Sequence, residues 1–215
     1  MNNLQKRILT SIAIFPLSIF FVVQGGYLLL FLLLAIFFTA NYELFSVFKK
    51  NQNILFLDLV LILALFSIYY LAENFLWLLL WVIILVICSD IGGYLFGKIF
   101  KWKKLTKISP KKTLSGVLGS FIFSLLSVFI IQIIIENLQA VSKDNFLEPE
   151  FFFLAIVFSL VAQSGDLTIS YFKRLEKIKD TGKILPGHGG IFDRIDGLMF
   201  VVIVTFVFYK LHFIP

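Results

Sequence analysis

The chain has 215 residues, of which 60% are hydrophobic and only 15% are charged, and its formal net charge is +6. The mean hydropathy of +0.97 and a charged fraction far below the roughly 25% of soluble domains exclude a disordered chain, a coiled coil and a small disulfide-linked secreted module. Cys88 is the single cysteine, so an intrachain disulfide is impossible. This composition indicates an integral membrane protein, and we expect its basic residues to face a membrane surface and anionic substrates, with no nucleic acid as partner.

Seven apolar segments come close to the length of about 20 residues that a membrane-spanning helix needs. We predict spans at 8–23, 26–48, 54–71, 75–97, 114–135, 151–170 and 197–214. The first segment is short and follows Lys6-Arg7, so a signal peptide is the alternative, but no small-x-small cleavage site follows it. The predicted fold class is therefore an all-α, polytopic membrane helix bundle, forming a single membrane domain over residues 1–215, with tight turns at 24–26 and 73–74.

The basic residues predict the orientation of this bundle. If the N-terminus is cytoplasmic and the spans alternate, all but two of the 19 basic residues, Lys143 and Lys210, fall on the cytoplasmic side. The positive-inside rule favours this arrangement. We therefore expect the C-terminus outside and the segments 98–112 and 173–196 in the cytoplasm.

The first inner segment contains an acidic residue at the membrane boundary. Asp90 follows a long apolar run, and a carboxylate there is a candidate for function because burying it in a membrane is costly. The alternative is a plain helix end, with Asp90 among the headgroups and Gly92-Gly93 as a helix break. The lysines of 98–112 have an equally ordinary explanation as topology signals and lipid contacts.

The second inner segment combines carboxylates on two predicted helices. If the sixth span stays helical, Asp166, Ser170 and Lys173 share one face, since they lie at positions i, i+4 and i+7. Asp193 and Asp196 are three residues apart at the start of the seventh span and also share a face. Two helix ends that bring carboxylates together could bind Mg²⁺, which prefers oxygen ligands and completes its shell with water and substrate phosphates.

A glycine-rich loop lies between these two helix ends. Three of the four residues 187–190 are glycines, which allow the backbone to approach an anionic ligand and present its N–H groups. Nearby lysines and arginines would offset phosphate charge, and the ensemble indicates metal-assisted phosphoryl or nucleotidyl transfer. Taken singly, each feature has a simpler reading: Gly189-Gly190 as a turn, Arg194 to Asp196 as an ion network at a helix start, and His188 as a loop histidine.

The segment 170–196 resembles the signature of phosphatidate cytidylyltransferases, also called CDP-diacylglycerol synthases. The positions that match are Ser170, Lys173, Arg174, Lys179, Asp180, Gly182, Pro186, His188, Gly189, Gly190, Asp193, Arg194 and Asp196. Gly165-Asp166 and the stretches 90–94 and 109–113 also look like family elements. Residues 75–215 thus resemble the family's catalytic region, whereas spans 1–74 match only in hydropathy. Ser115 stands where family members usually have glutamate.

The resemblance implies transfer of a cytidylyl group from CTP to phosphatidic acid, which gives CDP-diacylglycerol and pyrophosphate for phospholipid biosynthesis. It further implies a homodimer in the bacterial inner membrane, with the active site on the cytoplasmic side. It implies Mg²⁺ held by Asp166 and Asp193, with Asp196 and Asp90 as weaker candidates, and leaves open a second, monovalent cation such as K⁺. Lys173 and Arg194 are the further catalytic candidates. The implied substrate-binding residues are Ser170, Arg174, Lys179, His188, Gly189, Gly190, Lys111 and Lys112.

Two other classes of protein fit less well. A CDP-alcohol phosphotransferase would show an Asp-Gly…Ala-Arg…Gly…Asp…Asp pattern on one helix, which this chain lacks. A transporter or channel would spread polar residues through the middle of several spans, whereas here they cluster at one side. A related enzyme that uses another lipid phosphate or nucleotide stays open as an alternative.

Overall fold

The computed structural model describes residues 3–48, 51–106, 109, 112–139, 145–182, 184 and 189–214. Seven helices follow one another along the chain: α1 (Asn3–Gln24), α2 (Gly26–Val47), α3 (Asn51–Asn74), α4 (Leu76–Phe100), α5 (Leu114–Asn137), α6 (Pro149–Leu175) and α7 (Phe192–Lys210). An isolated antiparallel bridge joins Lys104 to Thr113 between α4 and α5, and none of the described residues belongs to a named β-strand. The predicted all-helical class is confirmed.

Five of these helices, α2 to α6, are long and apolar enough to cross a membrane. The seventh span remains a prediction, since α7 has Asp193, Arg194 and Asp196 within its first turns. The first span also remains a prediction, and the part of α1 whose side chains are described, Ile14 to Gln24, is apolar. The bundle therefore contains five helices that can span a membrane, as expected for a polytopic membrane protein.

Two tight turns lie at one end of the bundle, the first within the predicted 24–26 and the second one residue after the predicted 73–74. Gly25 alone separates α1 from α2 and has φ of 65°, a left-handed conformation that glycine adopts without steric cost. Phe75 alone separates α3 from α4. The two turns touch, because the Gly26 backbone N–H donates to Glu73 Oε1 at 2.6 Å.

The glycine pair in α4 is a packing feature and not a helix break. The helix continues past Gly92 and Gly93 to Phe100, so the alternative reading of a helix end at Asp90 is wrong. A Cβ atom on Gly92 would lie 2.7 Å from Phe123 Cβ and would also collide with the Gly119 carbonyl oxygen on α5. Small residues at such a contact let two helix backbones approach closely, which explains why α4 and α5 form the most extensive helix pair.

Two pairs of polar side chains in this core are hydrogen-bonded across helices. Trp81 Nε1 donates to Ser127 Oγ at 3.1 Å, and Ser89 Oγ lies 2.8 Å from Ser159 Oγ. Burying these groups without hydrogen bonds would cost free energy, so the pairs fix how α4 meets α5 and α6. This three-helix arrangement places the ends of α4 and α6 beside each other, where the acidic residues of the signature lie.

Candidate active site

A polar cavity of about 400 Å³ opens between α4, the start of α5, the end of α6 and the start of α7. Most of the charged residues that the sequence singled out line this one cavity. They are Asp90, Asp166, Asp193, Asp196, Lys112, Lys173 and Arg194. Residues far apart in the sequence are thus brought together, as the two-helix hypothesis required.

The wall of the cavity formed by α6 is held by an ion pair. Lys112 Nζ lies 2.6 Å from Asp166 Oδ2 and also donates to the Gln163 carbonyl oxygen at 3.2 Å. Ser170 Oγ donates to Asp166 Oδ1 at 3.3 Å, which confirms that the helix places these two side chains on one face. The basic segment before α5 is therefore attached directly to the acidic end of α6.

Asp193 holds together three parts of the chain. Its Oδ1 accepts a hydrogen bond from Lys173 Nζ on α6 at 2.9 Å, and its Oδ2 accepts from the Thr181 and Gly190 backbone N–H groups at 2.8 and 3.2 Å. Its side chain is only 4% exposed. Both carboxylate oxygens thus fix the loop between α6 and α7 against α6.

The other two aspartates also face the cavity. Asp90 projects from α4, and Asp196 Oδ1 accepts a hydrogen bond from the Gly197 N–H at 2.9 Å. With Asp180, five carboxylates and three basic groups line this one space, which makes a site of densely mixed charge. Such a site suits ligands that are anionic and are bound together with cations.

The donor chemistry of the cavity fits a hard divalent cation. In the described part of the chain, no group of three or more His, Cys, Asp or Glu side chains could hold a metal ion. Mg²⁺ does not require such a cage, because it commonly takes one or two carboxylates and fills its remaining positions with water and substrate phosphates. The aspartates of α6 and α7 are therefore suitable ligands for Mg²⁺. To bind the metal, Asp193 would have to give up one of the hydrogen bonds that it now accepts.

Several predicted substrate-binding residues lie elsewhere or are not described. Arg174 is exposed, and its Nη1 donates to the Ile178 carbonyl oxygen at 2.7 Å. Lys179 is exposed and does not line the cavity, while Gly189 adopts a φ of 91° that favours glycine. Lys111 and His188 lie outside the described residues.

Residues that the prediction did not assign to the site also contribute to it. Tyr94, Ser109, Thr113 and Asp180 line the cavity. Ser115 does not line it: its buried side chain has Oγ 3.0 Å from Thr113 Oγ1.

Glu43 was missed entirely, although it is a buried carboxylate that contacts the loop before α7. The sequence feature that could have identified Glu43 is its position as a single acidic residue near the end of an otherwise apolar span.

An apolar cavity of about 560 Å³ lies next to the polar one. It is lined by residues of α1 to α4 and α7, such as Ile36 and Leu198, and its polar end is formed by Asp90 and Arg194. Those two residues line both cavities. A ligand with a charged head and an apolar body could therefore occupy both spaces at once.

Fold and cavity together define a helical membrane protein with a densely charged cavity at one end of its bundle. The family model described as the Cytidylyltransferase family matches residues 54–212. The chain belongs to this family, which confirms the resemblance found in the signature segment.

Named relatives agree with the family assignment. A phosphatidate cytidylyltransferase of Rickettsia felis is 32% identical over 213 residues, which cover 95% of this chain and 92% of the relative. Phosphatidate cytidylyltransferases of Helicobacter pylori strain 26695 and of Haemophilus influenzae are each 41% identical, over 123 and 135 residues. These two matches cover 57% and 62% of this chain but only 43% and 46% of the relatives. The similarity therefore extends over nearly the whole chain in one relative and is denser over a shorter region in the others.

Proposed function

We propose that this chain transfers the cytidylyl group of CTP to phosphatidic acid, forming CDP-diacylglycerol and releasing pyrophosphate in phospholipid biosynthesis. The observation that carries the proposal is the pair of adjoining cavities, polar and apolar, that meet at Asp90 and Arg194. A nucleotide triphosphate and a lipid headgroup suit the charged cavity, and acyl chains suit the apolar one. The names and lengths of the matching relatives support the same activity.

The reaction needs charge compensation more than it needs a strong base. An oxygen of the phosphatidate phosphate attacks the α-phosphorus of CTP, and the bond from this phosphorus to the bridging oxygen of the β-phosphate breaks. The phosphate monoester is already anionic near neutral pH, so the main obstacle is repulsion between two phosphorylated substrates. Lys112, Lys173 and Arg194 line the cavity and would contact the phosphates of the two substrates.

Asp166 and Asp193 are the proposed Mg²⁺ ligands, with Asp196 and Asp90 as alternatives or supports, and K⁺ is the candidate for a second cation. When bound, the metal ions would neutralise phosphate charge and the charge that develops on the leaving pyrophosphate. Before that, the lysine partners of Asp166 and Asp193 hold both carboxylates in place. Ser170 donates to Asp166 and keeps its carboxylate oriented.

The membrane orientation and the oligomeric state are further parts of the proposal. The asymmetry of basic residues supports a cytoplasmic active site in the bacterial inner membrane, where CTP is available. The homodimer implied by the resemblance can be tested by native mass spectrometry of the protein in detergent.

The activity assay uses purified, monodisperse protein with radiolabelled CTP, phosphatidate vesicles or micelles and Mg²⁺. We expect a lipid-soluble cytidine product that requires all three components. Glycerol 3-phosphate, which has the same phosphate but no acyl chains, is the matched control and should be a poor acceptor. Equal use of UTP or ATP would overturn the cytidine assignment, and equal use of glycerol 3-phosphate would overturn the role given to the apolar cavity.

A further inference from the structure

Glu43 lies near the end of α2, a helix outside the recognised signature. Its side chain is 1% exposed, and it does not line the polar cavity. Buried carboxylates are rare unless they have hydrogen-bond partners, so the burial of Glu43 requires such partners in its surroundings.

Those surroundings are the loop that precedes α7. Glu43 Oε1 accepts a hydrogen bond from the Ile191 N–H at 3.0 Å, and Oε2 accepts from the Phe192 N–H at 3.1 Å. Thr181 Oγ1 donates to Oε2 at 3.4 Å. The partners lie 138 to 149 residues away in the sequence, so a carboxylate from one helix secures a segment near the other end of the chain.

The contacts satisfy the first turn of α7. A helix leaves its first N–H groups without internal partners, and the N-cap residue Ile191 has no side chain that could accept them. Glu43 accepts two of these N–H groups, and its charge is favourable at the positive end of the helix dipole. It thus replaces the capping side chain that the local sequence lacks.

Two glycines of the loop lie directly against Glu43. A Cβ atom on Gly182 would lie 2.7 Å from Glu43 Cδ, and one on Gly190 would lie 2.5 Å from Glu43 Oε2. The two glycines therefore provide the space in which the carboxylate sits.

The same loop residues determine the position of Asp193. Thr181, whose hydroxyl contacts Glu43, donates its backbone N–H to Asp193 Oδ2, and so does Gly190. Asp193 in turn binds Lys173. Glu43 thus contacts Thr181, which donates a hydrogen bond to Asp193, the proposed metal ligand. Asp193 pairs with Lys173, a proposed phosphate-binding residue.

We infer that Glu43 is a positioning residue of the active site, which fixes the loop residues 181 and 190–192 and thereby sets the place of Asp193 and Lys173. The expected effect on kcat rests on the proposed function. The expected effect on the loop rests on the hydrogen bonds of Glu43 alone.

The kinetic test compares Glu43→Ala and Glu43→Gln with Glu73→Gln. Glu73 accepts a backbone N–H at the other end of the bundle, and the amide keeps an acceptor oxygen there, so this control should retain activity. We expect Glu43→Ala to lower kcat about a hundredfold, since small displacements of catalytic groups have effects of that order. Glu43→Gln keeps one acceptor oxygen and should lose about tenfold, with smaller changes in the KM values.

A double-mutant cycle tests the contact itself. Gly182→Ala places a methyl group against Glu43 and should lower kcat in the wild-type background. In the Glu43→Ala background the obstruction is gone, so the same change should have little further effect. Strictly additive losses would contradict the proposed contact.

A measurement that does not depend on activity separates this inference from the proposed function. Hydrogen–deuterium exchange should be faster in peptides covering 178–192 in both Glu43 variants, with exchange in α4 and α5 unchanged. Unchanged exchange at 178–192, or wild-type kcat in folded Glu43→Ala or Glu43→Gln protein, would overturn the positioning role. If the wild-type protein makes no CDP-diacylglycerol, the proposed function fails, while the exchange data still decide the role of Glu43.

Discussion

Lys112 Nζ and Asp166 Oδ2 are 2.6 Å apart and join the segment before α5 to the end of α6. Asp166 is 34% exposed, so this ion pair is open to the cavity, whereas the pair of Lys173 with Asp193 is almost completely enclosed. The two acidic residues proposed to bind the metal therefore differ in access. Asp166 is available to a ligand that displaces Lys112, and Asp193 is part of the scaffold of the loop.

Replacing either proposed metal ligand by its amide should greatly reduce turnover. Asp166→Asn and Asp193→Asn each remove a negative charge while preserving size, and each should lower turnover by at least about two orders of magnitude. Because the pair acts as a unit, the double variant should be little worse than either single one. Turnover is measured per milligram of monodisperse protein, with Asp58→Asn on α3, which does not line the cavity, as the control. Near-normal turnover in one variant would remove that residue from the proposed metal site.

Removal of divalent metal should abolish activity reversibly. EDTA should stop the formation of lipid-soluble cytidine product, and an excess of Mg²⁺ over the chelator should restore it, because carboxylates and phosphates together form the expected binding site. Titration calorimetry of Mg²⁺ into protein with a nonhydrolysable CTP analogue gives a second readout. Full activity in EDTA after exhaustive dialysis would refute the metal requirement.

The orientation can be checked by cysteine labelling in cells. In a variant without Cys88, a cysteine at Lys177 should react with a membrane-impermeant maleimide only after the cytoplasmic side is opened. A cysteine at Asn145, in the loop between α5 and α6, is the matched control and should react from outside. The reverse pattern would invert the predicted topology and place the cavity on the wrong side for cytoplasmic CTP.

Alanine at Gly92 should destabilise the protein, although alanine is normally the better helix former by about 1 kcal/mol. The added methyl group would meet Phe123 and the Gly119 backbone on α5, and such overpacking typically costs about 1–3 kcal/mol. Thermal unfolding in detergent should show a lower Tm for Gly92→Ala than for Leu95→Ala, since Leu95 is exposed on the same helix. An increased Tm for Gly92→Ala would show that α4 and α5 pack less closely than described.

Hydropathy predicted the helices well because each membrane-spanning helix must by itself be long and apolar enough to cross the membrane. The helices run beyond the predicted spans at some ends: α4 extends past Gly97, and α7 begins at Phe192, before the span predicted from residue 197. At those places glycine packing against a neighbour and a capping group from α2 decide the outcome. Neither is visible within a window of local sequence.

The acidic and basic residues of the site could be predicted because the signature matches at many closely spaced positions. Which acidic residue pairs with which basic residue could not be predicted. Lys173 with Asp193 and Lys112 with Asp166 are contacts across 20 and 54 residues, set by how α6 meets α5 and α7. Glu43 was missed for the same reason, since its partners lie near the other end of the chain. Local spacing predicts which residues share a helix face, and tertiary packing determines which faces meet.

The glycine contact between α4 and α5 has a consequence for how a lipid could enter. Gly92 and Gly119 leave no gap between these helices, so we expect them to behave as one rigid body that carries Asp90 and, through the bridge between Lys104 and Thr113, Lys112. Widening of the polar cavity between this body and α6 would separate Lys112 from Asp166. We therefore expect the ion pair of Lys112 and Asp166 to break when the cavity opens on this side.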